Sequence, residues 1–385
     1  MFRIVENKLI NSGLVDPDAP FMGCLDAHIE WNRTGSEIST LEMIFKQLGI
    51  KALIFSRPAE PYGSMIDYLA QISNGTITPN DCETRLFLHD LPVAFELSPD
   101  AVVPLLKARK CAIVPGHGII THGMVGLEQA YLTFSSVCFA GFVKFFVDFL
   151  FLTKKRLVDN KCRQVFDRVI QKLDAPVSFN GSLSKGPFGS KNQIYEAIQE
   201  AGRFVVEHRL VDSYFGNISF RHGQTLFISQ TGSSLDRLKD AIDPCPLDGS
   251  SGVPITASSE LPTHLKIVAH TGSKAILHGH PKFSVILSMD CDIENCICRG
   301  KCHVKCPHER FVCGIPIVSG EVGSGANAIC NTVPQAIGDH SGVIVYGHGV
   351  FTTGKSDFNI PFKNLIQIEN TCRTEYFDRI RHYSE

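Results

Sequence analysis

The sequence predicts an α/β protein built from two related units, 1–175 and 190–385, joined by a linker over 176–189. Three observations carry this. The chain has 385 residues, more than one ordinary domain. Four motifs recur in the same order in each half. They are Ser36-Glu37 and Ser259-Glu260, ALIFSRP (52–58) and AILHGHP (275–281), DLPVAFEL (90–97) and GIPIVSGE (314–321), and GHGIITHG (116–123) and GHGVFTTG (347–354). Each GHG motif also follows a short apolar strand-like run and precedes a long helix-like segment. Ordered recurrence of this kind is the signature of an internal repeat.

Hydrophobic residues make up 44% and charged residues 20%, which excludes disorder. Lys+Arg total 37 against 39 Asp+Glu, so no clustered basic excess points to nucleic acid. The first twenty residues lack the basic, apolar and small-residue regions of a secretory leader. The expectation is a cytoplasmic protein with reduced thiols, in which the sequons at Asn32, Asn74 and Asn217 are chance matches.

Leu132 to Leu152 is long enough to cross a bilayer, but Lys144 and Asp148 interrupt it. Its counterpart in the second half, FNIPFKNLIQIENTCRTEYFDRI, is plainly no membrane span. A buried amphipathic core helix is expected, with no membrane partner. The segment DAPVSFNGSLSKGPFGS (174–190) is rich in Gly, Ser and Pro and reads as the linker.

Chemistry concentrates in the second half. His278 and His280 stand two apart on an apolar strand-like run, so both imidazoles face one side. His348 follows a second strand between two glycines, which permit close approach. Three histidines with an open fourth position suit a catalytic divalent metal, with zinc, manganese, iron and cobalt all compatible. The first half carries Phe55, Arg57 and His117 at the matching places, so the fold does not need the His pair. Glu260 is the candidate proton-transfer group, and equally a helix-start carboxylate favoured by the N-terminal dipole. Glu37 stands in its place in the first half, which leaves a structural role open. Gly216-Asn217, Thr231-Gly232 and Ser258-Ser259 are small-residue turns able to cradle an anion.

Six cysteines fall within 291–313: Cys291, Cys296, Cys298, Cys302, Cys306 and Cys313. Their density suggests a second site, a structural zinc or an iron–sulfur cluster, although the spacing is not that of a zinc ribbon. A loop of free thiols is the alternative.

The ordered set Gly216-Asn217-Ile218-Ser219, Thr231-Gly232, Ser258-Ser259-Glu260, His278-Gly279-His280 and His348-Gly349 resembles the class II aldolase/adducin family. The resemblance covers about half the chain strongly and the first half as a degenerate copy. It implies two three-layer α/β/α units, each with a central mixed, largely antiparallel sheet. It implies a metal-dependent lyase acting on a small hydroxy-carbonyl, sugar-phosphate-like substrate through an enediolate. His278, His280 and His348 would hold the metal, zinc foremost. Glu260 would be the acid/base, and Gly216, Asn217, Thr231, Gly232, Ser258 and Ser259 would bind substrate or its phosphate. It also implies a homo-oligomer, dimer or tetramer. Dehydratase, epimerase or decarboxylase chemistry, and an adducin-like interaction role, stay open. Gln230 departs from the family's usual proline, and the family's tyrosine from a neighbouring subunit has no counterpart that can be placed.

Overall fold

A computed structural model describes residues 2–211, 214–250, 255–293 and 295–385. The chain divides into two compact units after Asp174.

The first unit runs α1 (Phe2–Asn11), β1 (Phe21–Leu25), β2 (Ile29–Trp31), α2 (Ile38–Leu48), β3 (Ala52–Ser56), α3 (Tyr62–Ile72), β4 (Thr76–Ile77), α4 (Cys82–Leu88), β5 (Leu91–Pro92), α5 (Pro99–Ala108), β6 (Cys111–Val114), β7 (Gly118–Gly123), α6 (Leu127–Lys154) and α7 (Asn160–Ile170). Its main sheet has the order β2-β1-β3-β7-β6. Leu41, Ile44 and Phe45 of α2 and Val102, Val103 and Leu106 of α5 pack on Leu53 and Phe55 of β3. The suspected span is α6. Its apolar residues, Phe134 to Leu150 among them, are buried inside this unit, and Lys144 and Asp148 pair at 2.9 Å. By length and composition it could cross a membrane; here it is a core helix.

Asp81 caps α4, accepting hydrogen bonds from the Thr84 N–H and hydroxyl. Burial pushes its carboxyl up to about 6. A raised acid holds its proton more tightly in the folded state. Its contribution to stability is therefore complete below about pH 4 and lost as pH rises through about 6. Asp81→Asn keeps a capping acceptor and removes this slope. It is expected to stabilise the protein above pH 6 by on the order of 2–3 kcal/mol and to converge with wild type near pH 4, as melting curves across pH will show.

The second unit runs α8 (Lys191–Glu207), β8 (Asn217–His222), β9 (Thr225–Ser229), β10 (Ile242–Pro246), α9 (Leu261–Thr271), β11 (Ala275–Gly279), α10 (Lys282–Met289), β12 (Arg310–Val312), β13 (Ile315–Val318), α11 (Ile329–Ile337), β14 (Val343–Val345), β15 (Gly349–Gly354) and α12 (Asn359–Ser384). Its sheet has the order β10-β9-β8-β11-β15-β14-β13-β12, antiparallel except for β13 beside β14. Leu261, Ile267 and Val268 of α9 and Ile329, Val333 and Ile337 of α11 pack on Ile276, Val343, Val345 and Phe351. Leu365 of α12 reaches Gly279 of β11. Because strand residues alternate, Ile276 and His278 share the α9 side.

The segment 175–190, which contains the linker read from composition at 176–189, is fastened to the second unit. Asn370 exchanges two hydrogen bonds with the Val177 backbone, and Asn359 does the same with Leu183. Leu183 and Phe188 are buried. Ser and Gly set the composition, but a few anchoring side chains bind the strap to the second unit.

The two sheets share the run β2-β1-β3-β7-β6 and β9-β8-β11-β15-β14, and their registers coincide. Phe55 pairs with Phe21 and Ile120 as His278 pairs with Asn217 and Phe351. Helices α2 and α9 are both eleven residues, begin after Glu37 and Glu260, and end on left-handed Gly49 and Gly272.

Candidate metal centre

Strand β11 reads Ala-Ile-Leu-His-Gly and is buried on both faces, as a central strand must be. It carries His278 at its end, with His280 just beyond it. His348 sits in the turn from β14 to β15. The neighbouring Gly349 has no room for a Cβ, which would lie 2.4 Å from the Gly279 oxygen and 2.8 Å from His278 Cε1. Glycine lets the two strands close on each other and brings His348 over the pair.

The three Nε2 atoms converge. His278 Nε2 lies 3.0 Å from His280 Nε2 and 3.3 Å from His348 Nε2, and the three rings are buried. Elements around them fix the rings. His278 Nδ1 is 3.1 Å from the Val350 carbonyl, and the ring stacks on Phe351 at 4.0 Å. His280 stacks on Phe215. Glu369 of α12 accepts from the Phe283 and Ser284 N–H groups, tying down the chain that leaves His280. The Ser288 hydroxyl accepts from the Gly347 N–H and holds the turn bearing His348.

Glu260 completes the cluster. Its Oε1 is 3.1 Å from His348 Nε2 and its Oε2 is 3.5 Å from His278 Nε2. It occupies the N-cap position of α9, yet its side chain makes no capping bond there. The carboxylate is turned to the imidazoles. Burial opposes its ionisation, but His278, His348 and the Asn217 amide hold the carboxyl well below the usual carboxylate range. Burial also pulls His278 down to about 4 and His280 well below its ordinary value, so both rings are neutral at pH 7.

A divalent cation fits this set. His278, bonded through Nδ1 to the Val350 carbonyl, directs its Nε2 lone pair inward, and three Nε2 atoms crowded together need a cation or a proton between them. Nitrogens about 2.0–2.1 Å from a tetrahedral zinc lie about 3.3 Å apart, close to the separations observed. His280 Nδ1 is buried without a hydrogen-bond partner among the described residues.

A bridge between Gln230 and Ala257 sets Thr231-Gly232 beside Ser258-Ser259, and the Ser259 N–H donates to the Thr231 hydroxyl at 2.9 Å. Ser258 is buried next to Glu260, and its hydroxyl accepts from the Glu260 N–H. Gly216 has φ 76° and packs on the His278 carbonyl, so it serves the sheet more than an anion. Asn217 also has partners within the protein. Its carboxamide is buried, donating through Nδ2 to Glu260 at 2.8 Å and facing His264 through Oδ1. The side chain is occupied within the site because the strand register sets it beside His278.

Cys291, Cys296, Cys298, Cys302 and Cys306 lie in turns between α10 and β12, and Cys313 follows β12. Among the described residues the imidazole triad is the one group of three or more metal-type ligands that converge. The six thiols are each at least partly exposed. Burial raises the Cys302 thiol, and Cys306, Cys296 and Cys291 lie near enough to add to that rise.

Residues 196–376 match the Class II Aldolase and Adducin N-terminal domain, and the C-terminal half of the chain is a domain of that family. L-fuculose-1-phosphate aldolase from Thermus thermophilus is similar at 20% identity and TM-score 0.41, covering 50% of this chain and 98% of that one. YgbL from Klebsiella pneumoniae is similar at 19% identity and TM-score 0.40, covering 51% and 99%. A sugar-phosphate aldolase from Thermotoga maritima is similar at 19% identity and TM-score 0.35, covering 48% and 94%. No curated protein matches the chain.

Proposed function

We propose that the second unit is a metal-dependent lyase that breaks or forms a C–C bond in a small hydroxy-carbonyl substrate. His278, His280 and His348 would hold a divalent cation, zinc foremost, and Glu260 would carry the proton. The observation behind this reading is the convergence of three buried imidazoles and one buried carboxylate, with His278 Nε2 at 3.0 and 3.3 Å from the other two Nε2 atoms and Glu260 Oε1 at 3.1 Å from His348 Nε2.

A bound cation supplies Lewis-acid stabilisation of negative charge developing on a substrate oxygen. The chain does the rest. Burial keeps His278 and His280 neutral, so their lone pairs are available at pH 7. Val350 and Phe351 hold His278 with Nε2 inward, the outer-shell support that a ligating histidine needs. Glu260, ionised and a few ångströms from the same point, is placed to take a proton and return it. The backbone and hydroxyls of Thr231, Gly232, Ser258 and Ser259 would receive the substrate's anionic end.

The test is elemental analysis of the full chain. One divalent metal per chain is expected, and His278→Ala should remove it. Zinc added back after chelation should raise the wild-type melting temperature and leave His278→Ala unmoved. A wild-type chain with no stoichiometric metal and no response to zinc would overturn the reading.

We further propose that the first unit is a degenerate, non-catalytic copy, of the kind that serves as an interaction module. Its support is the coincident register and what occupies the site positions. Phe55 replaces His278 and stacks with Phe21 at 6.3 Å. Arg57 replaces His280 and pairs with Asp67 at 2.8 Å, which in turn accepts from the Gly116 N–H beside His117.

A further inference from the structure

We infer that His264 is a positioning residue for Glu260: with Ser219 and Asn217 it forms a hydrogen-bond relay that sets which way the Asn217 amide faces and so holds the carboxylate against the imidazole triad. This rests on the reading of Glu260 as the proton carrier.

Two backbone periodicities build the relay. Asn217 and Ser219 are two apart on β8 and face one side of the sheet. Glu260 and His264 are four apart at the start of α9 and face one side of the helix. Where strand and helix pack, the four side chains interleave. Ser219 Oγ lies 2.7 Å from His264 Nδ1, His264 Nε2 bonds Asn217 Oδ1, and Asn217 Nδ2 donates to Glu260 Oε2 at 2.8 Å. Ser219 and His264 are fully buried, so bulk water does not compete for these bonds.

The proton positions follow from one end. An ionised carboxylate only accepts, so Asn217 must present its NH₂ to Glu260 and its carbonyl to His264. His264 must then carry its proton on Nε2, and its bare Nδ1 accepts from the Ser219 hydroxyl. Burial pulls His264 down to about 3, in keeping with a neutral ring. Every polar atom along this line has one consistent role. The opposite tautomer would set a bare nitrogen against the Asn217 carbonyl, and turning the amide would set that carbonyl against the carboxylate.

The first unit provides a built-in control. In the shared register Asn217 corresponds to Phe21 and Ser219 to Gly23, because Phe21 pairs with Phe55 and Gly23 with Leu53 as Asn217 pairs with His278 and Ser219 with Ile276. Four residues after Glu37, His264 corresponds to Leu41, which is fully buried in the core. The same fold thus dispenses with all three relay residues where the His pair is missing. Glu37 itself is retained, and there its carboxylate accepts from the exposed Ser36 hydroxyl at 3.0 Å. A role confined to packing would not vanish together with the metal-type ligands.

Leu41 also shows that leucine suits this position, so His264→Leu in the full chain is the variant of choice. The probe is dihydroxyacetone phosphate, a small hydroxy-ketone, with C–H exchange in D₂O followed by proton NMR. His264→Leu should keep one metal per chain and its KM, with kcat for exchange lowered about 10- to 100-fold. His264→Gln, whose amide N–H can reach Asn217, should recover part of the loss. Independently of turnover, nitrogen-15 spectra of the histidine-labelled, metal-loaded protein should show His264 neutral with its proton on Nε2. Asn217→Ala, which removes the acceptor at Nε2 while the Ser219 hydroxyl can donate or accept at Nδ1, should mix the two tautomers, and it carries the same test if His264→Leu does not fold. A proton found on Nδ1, or His264→Leu exchanging like wild type while Glu260→Gln is inert, would overturn the relay. Wild-type exchange in Glu260→Gln would instead overturn the proton-carrier reading. The tautomer spectrum decides the relay in either case, and also if the probe is not turned over.

Discussion

Replacing Glu260 by glutamine is expected to lower the catalysed proton transfer by about 10²- to 10⁴-fold, the span that a positioned acid/base group supplies. The residue is well suited to such a test. Glutamine matches the carboxylate in shape, and the Asn217 Nδ2 that donates to Oε2 at 2.8 Å can donate equally to an amide oxygen. The three imidazoles are untouched, so one metal per chain should remain. Glu260 stands at the N-cap of α9 without making a capping bond, so no helix-start hydrogen bond is lost. The melting temperature should therefore stay close to that of wild type. The measurement pairs metal content with proton exchange of dihydroxyacetone phosphate in D₂O. Retained exchange with retained metal would return Glu260 to a structural role, the alternative that Glu37 keeps in view.

That alternative shows where sequence legibility ends. The His-x-His spacing on an apolar strand was enough to set two imidazoles on one face, and the glycine beside His348 was enough to bring the third, because these follow from local periodicity and sterics. The recurring motifs lie in units whose sheets share the strand run β2-β1-β3-β7-β6 and β9-β8-β11-β15-β14. His264 was not singled out. It sits on the apolar stripe of α9 with Leu261, Ile267 and Val268, where a histidine reads as a core residue. The signal lay in its spacing of four from Glu260, combined with Leu41 at the same distance from Glu37. Asn217 was recognised as a site residue, but its bonds to Glu260 and His264 were not. Its motif fixes a strand start, and only the pairing of β8 with β11 shows that it lies opposite His278. The anchoring of the strap 175–190 was not legible, because composition does not report which few side chains fasten a loop.

Gly349→Ala is expected to weaken metal binding at least as far as the loss of an outer-shell partner does, about 10- to 100-fold, and to destabilise the second unit by about 1–3 kcal/mol. The added Cβ would lie 2.4 Å from the Gly279 oxygen, 2.8 Å from His278 Cε1 and 3.0 Å from His280 Cδ2. None of these can yield cheaply. The Gly279 oxygen belongs to the central strand, whose partner there is Val350. His278 is held by the Val350 carbonyl and stacked on Phe351. The methyl group must therefore part β15 from β11 or turn the rings, and either breaks the 3.0 and 3.3 Å approaches of the three Nε2 atoms. The first unit separates this effect from general damage. Gly118 is its counterpart, and a Cβ there would lie 2.3 Å from the Ser56 oxygen, with φ at 139° adding strain. Gly118→Ala should lower the melting temperature comparably and leave metal content and affinity unchanged. Zinc titrations of the two chelated variants, read by melting temperature and bound metal, make the comparison. If Gly349→Ala binds zinc as wild type does, the close approach of β15 to β11 is not what assembles the triad.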